Sequence, residues 1–267
     1  GRTRRDADLA RPDRLGAVIG DARPDLVVNA GAYTAVDRAE SDPDAAFAVN
    51  GTAPGIVGEA ARACGAAVIH YSTDYVFDGE RDGARTEDDP VSPLGVYGAS
   101  KEAGERALRA ALDRHVILRT SWVFGALGAN FVRTMWRLGG ERPEVRVVAD
   151  QRGCPTPAAA IAAATIAMAR RIAGGGGHWG TFHFAGAPAT SWAGFAEAVF
   201  AEMERRTGRR PSLVPIATAD YPTPARRPAN SVLDCGRIAA AYGIVAPDWQ
   251  AALSVVLDET TAAAAAG

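Results

Sequence analysis

The chain alternates short apolar segments with longer segments of helical periodicity, and this alternation constrains its fold more than any other feature. Segments with the length and residue types of strands lie at residues 25–30, 66–72, 115–122 and 145–148. Helical patterns lie between them, at residues 43–64, 97–112 and 131–138. Because the strands are apolar on both faces, we expect a parallel sheet with helices on both sides. The sequence therefore predicts an α/β fold with a doubly wound, Rossmann-like parallel sheet.

The regular alternation loosens after residue 150. Helical patterns at 158–172 and 192–206 flank a short strand pattern at 181–184, and a proline-rich stretch follows at 211–228. We expect residues 1–150 to form a cofactor-binding domain. Residues 151–267 are expected to form mainly a smaller substrate-binding lobe, with some segments returning to the core.

Composition excludes several classes of partner. The net charge is only -2 over 267 residues, and no block of five or more like charges offers nucleic acid or an anionic membrane a binding surface. No apolar run reaches the length of about 18 residues that a membrane span needs, and no secretory signal opens the chain. A cytoplasmic protein that binds small molecules is the expectation.

One element of dinucleotide-binding folds is missing from the sequence. Such folds open with a strand and a G-x-G-x-x-G turn, which brings the pyrophosphate to a helix N-terminus. This sequence has no such turn, and its first strand pattern is already at residues 25–30. Two interpretations stay open: the fold binds no dinucleotide, or its first βα unit precedes Gly1.

Candidate ligand-binding residues follow three of the strand patterns. Open parallel sheets bind ligands beyond the carboxyl ends of their strands. Small residues follow the first strand, where they would let a flat cofactor approach the backbone. The residues at these ends are Gly31, Ala32, Tyr33 and Thr34; Ser72, Thr73 and Asp74; and Ser121 and Trp122.

Lys101 is the only lysine among the 29 basic residues, and Tyr97 lies four residues before it. On a helix the two side chains share one face, and a nearby cation favours the ionised form of a phenol. A reductase that delivers hydride to a carbonyl needs such a proton donor, and Thr73 would hydrogen-bond the same carbonyl oxygen. The spacing alone also fits a surface tyrosine beside a lysine. The strand order and Thr73 favour the catalytic interpretation.

Five segments together resemble the dTDP-4-dehydrorhamnose reductase family of extended short-chain dehydrogenases/reductases. They are VVNAGAYTAVDRAE, VIHYSTDYVFDG, VYGASKEAGE, LRTSWVFG and RRPANSVLD, and they occur in the family's order over nearly the whole chain. The resemblance implies reduction of the C4 keto group of dTDP-4-dehydro-L-rhamnose to dTDP-L-rhamnose. NADPH or NADH would supply the hydride, and the first βα unit of the family would be missing from this sequence.

The resemblance also assigns residues. Thr73, Tyr97 and Lys101 match the catalytic triad, in which Tyr97 gives its proton to the C4 oxygen. Lys101 would lower the pKa of Tyr97 and hold the nicotinamide ribose. Further cofactor contacts are implied for Asp8, Leu9, Gly31, Ala32, Tyr33 and Thr34. Substrate contacts are implied for Thr73, Asp74, Trp122, Asn130 and Arg227.

Several alternatives stay open at this point. Trp122 also fits a core residue, Arg227 a solvated charge and Asp8 a helix cap. The run Thr73-Asp74-Tyr75 lacks the glutamate of related sugar-nucleotide dehydratases, which favours simple reduction. A reductase of another nucleotide-linked 4-keto-deoxysugar and a non-catalytic regulatory partner remain as alternatives.

Two further expectations concern metals and assembly. Some members of the family bind magnesium through glutamates, but the corresponding stretch PTPAAAIAAA contains none, so no metal is predicted. A homodimer is compatible with the sequence, which leaves the oligomeric state and the choice between NADPH and NADH open.

Overall fold

The computed structural model describes residues 1–265, in which strands and helices alternate along most of the chain. In chain order the strands are β1 (Leu26–Asn29), β2 (Ala67–Thr73), β3 (His115–Thr120), β4 (Val123–Phe124), β5 (Glu144–Val148), β6 (Arg152–Gly153), β7 (Thr156–Pro157), β8 (Gly180–His183), β9 (Thr190–Ser191) and β10 (Ser212–Ile216). The helices are α1 (Leu15–Ala22), α2 (Val36–Ala39), α3 (Pro43–Phe47), α4 (Ala53–Cys64), α5 (Val96–Ala111), α6 (Phe131–Glu141), α7 (Ala158–Ala173), α8 (Trp192–Thr207), α9 (Gly236–Tyr242) and α10 (Trp249–Ala265).

The main sheet has four parallel strands in the order β1-β2-β3-β8. On one face Val68 and Ile117 pack against buried side chains of α1, α4 and α5. On the other face Ile69 and Leu118 pack against α7 and α9. Both faces of the central strands are therefore apolar and covered, as parallel sheets require. The prediction of a doubly wound α/β fold is confirmed.

Two predicted elements differ in the structure: one helix is interrupted, and one strand ends earlier. The helix predicted at 43–64 is interrupted by a π-helical turn at Ala48–Thr52. Helix α5 passes so close to this turn that a Cβ on Gly104 would lie 1.9 Å from the Asn50 carbonyl oxygen. The strand predicted at 115–122 stops at Thr120, because Trp122 turns into the left-handed region with φ 46°. Both differences lie at the carboxyl edge of the main sheet.

The later part of the chain builds a second apolar cluster. The predicted strand at 145–148 forms as β5, but it pairs in parallel with β10 from the proline-rich stretch rather than with the main sheet. Helices α6, α8 and α10 contribute Val132, Phe195 and Leu257 to the cluster around these strands. The boundary near residue 150 stays a prediction. No helix within residues 1–265 is long and apolar enough to cross a membrane.

Candidate active site

Thr73 and Asp74 lie at the carboxyl end of β2, where the chain leaves the sheet in a short 3-10 turn. The Thr73 hydroxyl donates to Asp74 Oδ1 at 2.9 Å and accepts from the Tyr75 N–H at 3.2 Å. Burial raises the pKa of Asp74 to about 6, although hydrogen bonds from Ser231 and Thr73 oppose this rise. Asp74 therefore titrates close to neutral pH.

Tyr97 is the second residue of α5 and faces this turn. Its ring meets the ring of Tyr75 edge-on, with the centroids 5.4 Å apart. Burial raises the pKa of Tyr97 to about 12, a hydrogen bond with Thr73 lowers it, and the Asp74 carboxylate raises it. The phenol is therefore protonated at neutral pH and holds the proton that a carbonyl reduction consumes.

Gly98 explains why α5 approaches the turn so closely. A Cβ at this position would lie 2.1 Å from the Tyr75 carbonyl oxygen and 2.9 Å from Pro93 Cβ. Only glycine leaves room for backbone against backbone at this crossing. The crossing brings Tyr97, the preceding residue, against Thr73.

Lys101 lies one helical turn after Tyr97 and is 2% exposed. Its ammonium donates to the Tyr71 carbonyl oxygen at 2.6 Å and lies 3.4 Å from His70 Nε2. Burial lowers the pKa of Lys101 to about 8, while the negative charge of Glu105 raises it. In this arrangement Thr73, rather than Lys101, is the group that lowers the pKa of Tyr97. The predicted effect of Lys101 on the phenol stays a prediction.

A buried ionic network continues from Lys101 along the same face of α5. Glu105 binds Arg119 of β3 through both carboxylate oxygens, at 2.9 and 2.7 Å. It also accepts from the Ser72 hydroxyl at 2.6 Å and from Arg109 at 3.1 Å. These bonds connect the catalytic helix to two central strands and hold a negative charge near the Lys101 ammonium.

Gly31, Ala32, Tyr33 and Thr34 form an open turn after β1, and Asn50 connects this turn to α5. Asn50 accepts from the Tyr33 N–H at 2.8 Å and donates to the Tyr33 carbonyl at 3.0 Å. It also donates to Ser100 at 3.1 Å, and Ser100 donates to the Tyr97 carbonyl at 2.8 Å. The π turn at Ala48–Thr52 thus carries the side chain that fixes the two segments together, in line with the frequent occurrence of such turns at functional sites.

The segment after β1 is open to solvent and carries small residues. Gly31, Ala32 and Thr34 are exposed at the carboxyl edge of the sheet. Leu9 packs directly on Gly31, where a Cβ would lie 2.6 Å from Leu9 Cδ1. Next to Leu9, Asp8 accepts from the Ala10 N–H at 3.0 Å and thereby closes its own turn. Asp8, Leu9 and the exposed residues after β1 therefore lie near one another, and their contacts with a cofactor stay predictions.

The remaining predicted substrate residues lie in three different settings. Arg227 binds Asp37 with both of its terminal nitrogens, at 3.0 and 2.9 Å, and its charge also acts on the nearby Tyr75. Trp122 stacks on Trp192, with the ring centroids 3.5 Å apart.

Trp122 also has a contact on its second face, and Asn130 lies in the third setting, at the start of α6. A Cβ on Gly153 would lie 2.4 Å from Trp122 Cε2, so the indole is held between Gly153 and Trp192. Asn130 caps α6 by accepting from the Arg133 N–H at 3.3 Å, and donates to the Gly125 carbonyl at 2.8 Å. Both residues therefore have structural partners, and their contacts with substrate stay predictions.

Sequence reasoning missed two buried residues of the site. Ser231 is 2% exposed, lowers the pKa of Asp74, and donates its hydroxyl to the Arg152 carbonyl at 3.2 Å. It belongs to the segment RRPANSVLD, so its position in that motif was the available signal. His70 lies beside Lys101, and burial together with the Lys101 charge lowers its pKa well below the usual range. The apolar run around His70 gave no sign of this contact.

Three comparisons relate this arrangement to known proteins. The profile of a family described as the RmlD substrate binding domain matches residues 1–262. The chain is 48% identical over 261 residues to a dTDP-4-dehydrorhamnose reductase of Burkholderia thailandensis. The matched region covers 94% of this chain and 87% of the relative. Many other relatives carry the same name.

Two solved structures of dTDP-4-dehydrorhamnose reductases have a similar fold. A dTDP-4-dehydrorhamnose reductase from Clostridium acetobutylicum superposes with a TM-score of 0.88 at 34% identity, covering 96% of this chain and 88% of that one. The reductase from Bacillus anthracis, solved in complex with NADP, also gives 0.88 at 32% identity, covering 97% and 89%.

Proposed function

This chain belongs to the family of the RmlD substrate binding domain, and we propose that it reduces dTDP-4-dehydro-L-rhamnose to dTDP-L-rhamnose with NADPH or NADH. The observation that carries the proposal is the pair formed by Thr73 and Tyr97. A protonated phenol and a hydroxyl lie together at the carboxyl edge of the sheet, and Lys101 lies one turn away on the same helix. A relative that is 48% identical to this chain carries this reductase name, and a structural relative was solved in complex with NADP.

In this proposal a bound NADPH or NADH would supply the hydride that C4 of the sugar receives. The Thr73 hydroxyl, which donates to Asp74 Oδ1 in this structure, would turn its single proton to the C4 oxygen and orient the carbonyl. As charge develops on that oxygen, Tyr97 Oη transfers its proton to it, so the carbonyl becomes an alcohol and the tyrosine becomes a phenolate. Lys101 would hold the nicotinamide ribose and, once the cofactor is bound, would add a positive charge that favours the phenolate.

The substrate side of the proposal uses the carboxyl edge of β2 and the later part of the chain. Asp74 Oδ2 is buried and finds no hydrogen-bond donor within residues 1–265, so a sugar hydroxyl fits it. Arg227 and Asn130 would face the nucleotide, and the edge of Trp122 the sugar. Residues 1–150 would hold the cofactor, with Asp8 and Leu9 near its adenine end, and residues 151–267 mainly the substrate.

The proposal also includes a cellular location and an oligomeric state for the enzyme. A cytoplasmic location fits because both proposed ligands, a nucleotide sugar and a nicotinamide dinucleotide, are intracellular metabolites. A homodimer is proposed as the assembly, and sedimentation of the purified protein would test it.

The test uses the purified protein, dTDP-4-dehydro-L-rhamnose and NADPH. Loss of the nicotinamide absorbance and formation of dTDP-L-rhamnose are expected. The Tyr97→Phe variant should lose roughly 100-fold or more of kcat, the usual contribution of a proton donor. Tyr242→Phe, which removes a phenol of α9 that binds His178, is the matched control and should keep the wild-type rate. Equal rates for Tyr97→Phe and wild type would remove Tyr97 from the reaction.

A further inference from the structure

Helix α5 receives its N-terminal cap from a distant part of the chain. Its N-cap residue is Gly95, which has no side chain to accept from the first free N–H groups of the helix. Glu40 takes this role from 56 residues away, because its Oε1 accepts from the Val96 N–H at 2.8 Å. Val96 is the first residue of the helix, and Tyr97 is the second.

Gly95 and Glu40 fit each other sterically. A Cβ on Gly95 would lie 2.5 Å from Glu40 Oε1, which is closer than a real contact allows. The backbone of Gly95 has φ -148° and ψ 176°, an extended conformation that any residue adopts. Glycine therefore leaves the space that the carboxylate occupies, and a Cβ here would displace the carboxylate from the Val96 N–H.

Glu40 directly follows the short helix α2. The residues around Glu40 contact or adjoin three other segments of the chain. The open turn Gly31–Thr34 precedes this helix in the chain. Asp37, within it, binds Arg227 of the C-terminal segment through two hydrogen bonds. The residues around Glu40 are thus attached to the proposed cofactor turn, to the proposed substrate segment and to the start of α5.

We propose that Glu40 is a positioning residue for the reduction. Its carboxylate holds the first turn of α5 in place and thereby fixes Tyr97 relative to the turn at Gly31–Thr34. Loss of the cap frees the Val96 N–H and loosens the turn that carries the phenol, and small displacements of a proton donor slow the transfer strongly. The inference rests on the proposed function only in assigning the proton transfer to Tyr97.

The experiment separates the hydrogen bond from the charge and from the volume of the side chain. Glu40→Ala removes the acceptor and should lower kcat about five-fold or more, the ratio that corresponds to a lost N-cap. Glu40→Gln retains an acceptor oxygen and should keep kcat within about two-fold of wild type. Glu59→Ala removes an exposed glutamate of α4 and serves as the surface control.

Two double variants test the mechanism directly. Glu40→Ala combined with Gly95→Ser places a hydroxyl at the N-cap position, in the space that the carboxylate has left, and should restore most of the rate. Glu40→Ala combined with Gly95→Ala fills the same space without an acceptor and should stay as slow as Glu40→Ala. Equal rates for the two double variants, or wild-type turnover by Glu40→Ala, would overturn the proposal.

Hydrogen exchange gives a readout that does not depend on turnover. Amides of residues 96–98 should exchange about five-fold faster in Glu40→Ala than in wild type, and the Gly95→Ser double variant should reverse this change. Unchanged exchange in Glu40→Ala would refute the cap. If wild type fails to oxidise NADPH with the substrate, the proposed function is wrong, and the exchange measurement still decides whether Glu40 holds the helix.

Discussion

Glu105→Gln removes one charge from the buried network beneath the proposed active site and keeps the shape of the side chain. Glu105 is fully buried and binds Arg119 through both oxygens, at 2.9 and 2.7 Å. Glutamine keeps one carbonyl oxygen but presents an NH2 group where Arg119 also presents donors. At least one strong hydrogen bond is lost, and a buried guanidinium loses part of its counter-charge.

The size of the effect follows from burial. Loss of one partner of a buried ion pair costs about 3–5 kcal/mol, because the other charge is left in a low-dielectric interior. For a chain of this length each kcal/mol lowers the Tm by roughly 2–4 °C, so a decrease of about 6–20 °C is expected. Glu141→Gln, which breaks the exposed pair between Glu141 and Arg137 on α6, should cost under about 0.5 kcal/mol.

The same variant should change the pH dependence of turnover. The charge of Glu105 raises the pKa of Lys101, which burial has lowered to about 8. Without that charge the pKa falls further, so Lys101 loses its proton at a lower pH. The alkaline limb of kcat/KM should therefore move to lower pH in Glu105→Gln and stay in place in Glu141→Gln. Equal stability of the two variants, or an unmoved alkaline limb, would refute the reasoning.

Two further predictions address packing and acid stability. Gly98→Ala forces a Cβ to within 2.1 Å of the Tyr75 carbonyl, so it should cost about 1–3 kcal/mol and most of the activity; Gly140→Ala, in open space on α6, should be neutral or slightly stabilising in urea unfolding. Burial lowers the pKa of His183 to about 4, so the unfolded chain, whose histidines titrate near 6.5, binds more protons between these values. Stability should therefore fall by about 3 kcal/mol as the pH drops from 6.5 to 4. His183→Asn, which keeps a donor for the Arg85 carbonyl, should remove this part of the loss; an identical pH dependence in the variant would contradict the assignment.

The sheet and the catalytic helix could be predicted because their signals are local. The apolar runs of β2 and β3 are buried on both faces, so each strand carries its own evidence in consecutive residues. The spacing of Tyr97 and Lys101 defines one helix face by geometry alone. Residues at the carboxyl ends of strands could likewise be assigned to the cleft, because parallel strands all end at one edge.

The contacts that tune the site could not be predicted in this way, because they join distant segments. Glu40 meets Val96 across 56 residues, and Arg227 meets Asp37 across 190. The π turn around Asn50 depends on the close approach of Gly104, which no local propensity encodes. The Lys101 ammonium likewise meets β2 thirty residues earlier in the chain, at the Tyr71 carbonyl. Periodicity identifies the faces of helices and strands, whereas these pairings exist only after the sheet is assembled.

The most direct test of the account follows the hydride itself. Wild-type protein is incubated with dTDP-4-dehydro-L-rhamnose and NADPH that carries deuterium at C4 of the nicotinamide, in separate reactions for each face of the ring. We expect deuterium at C4 of the sugar in the product from one of the two labelled cofactors, together with a large loss of rate in Tyr97→Phe. Product without deuterium at C4 from either cofactor, or no product at all, would contradict the proposed reduction.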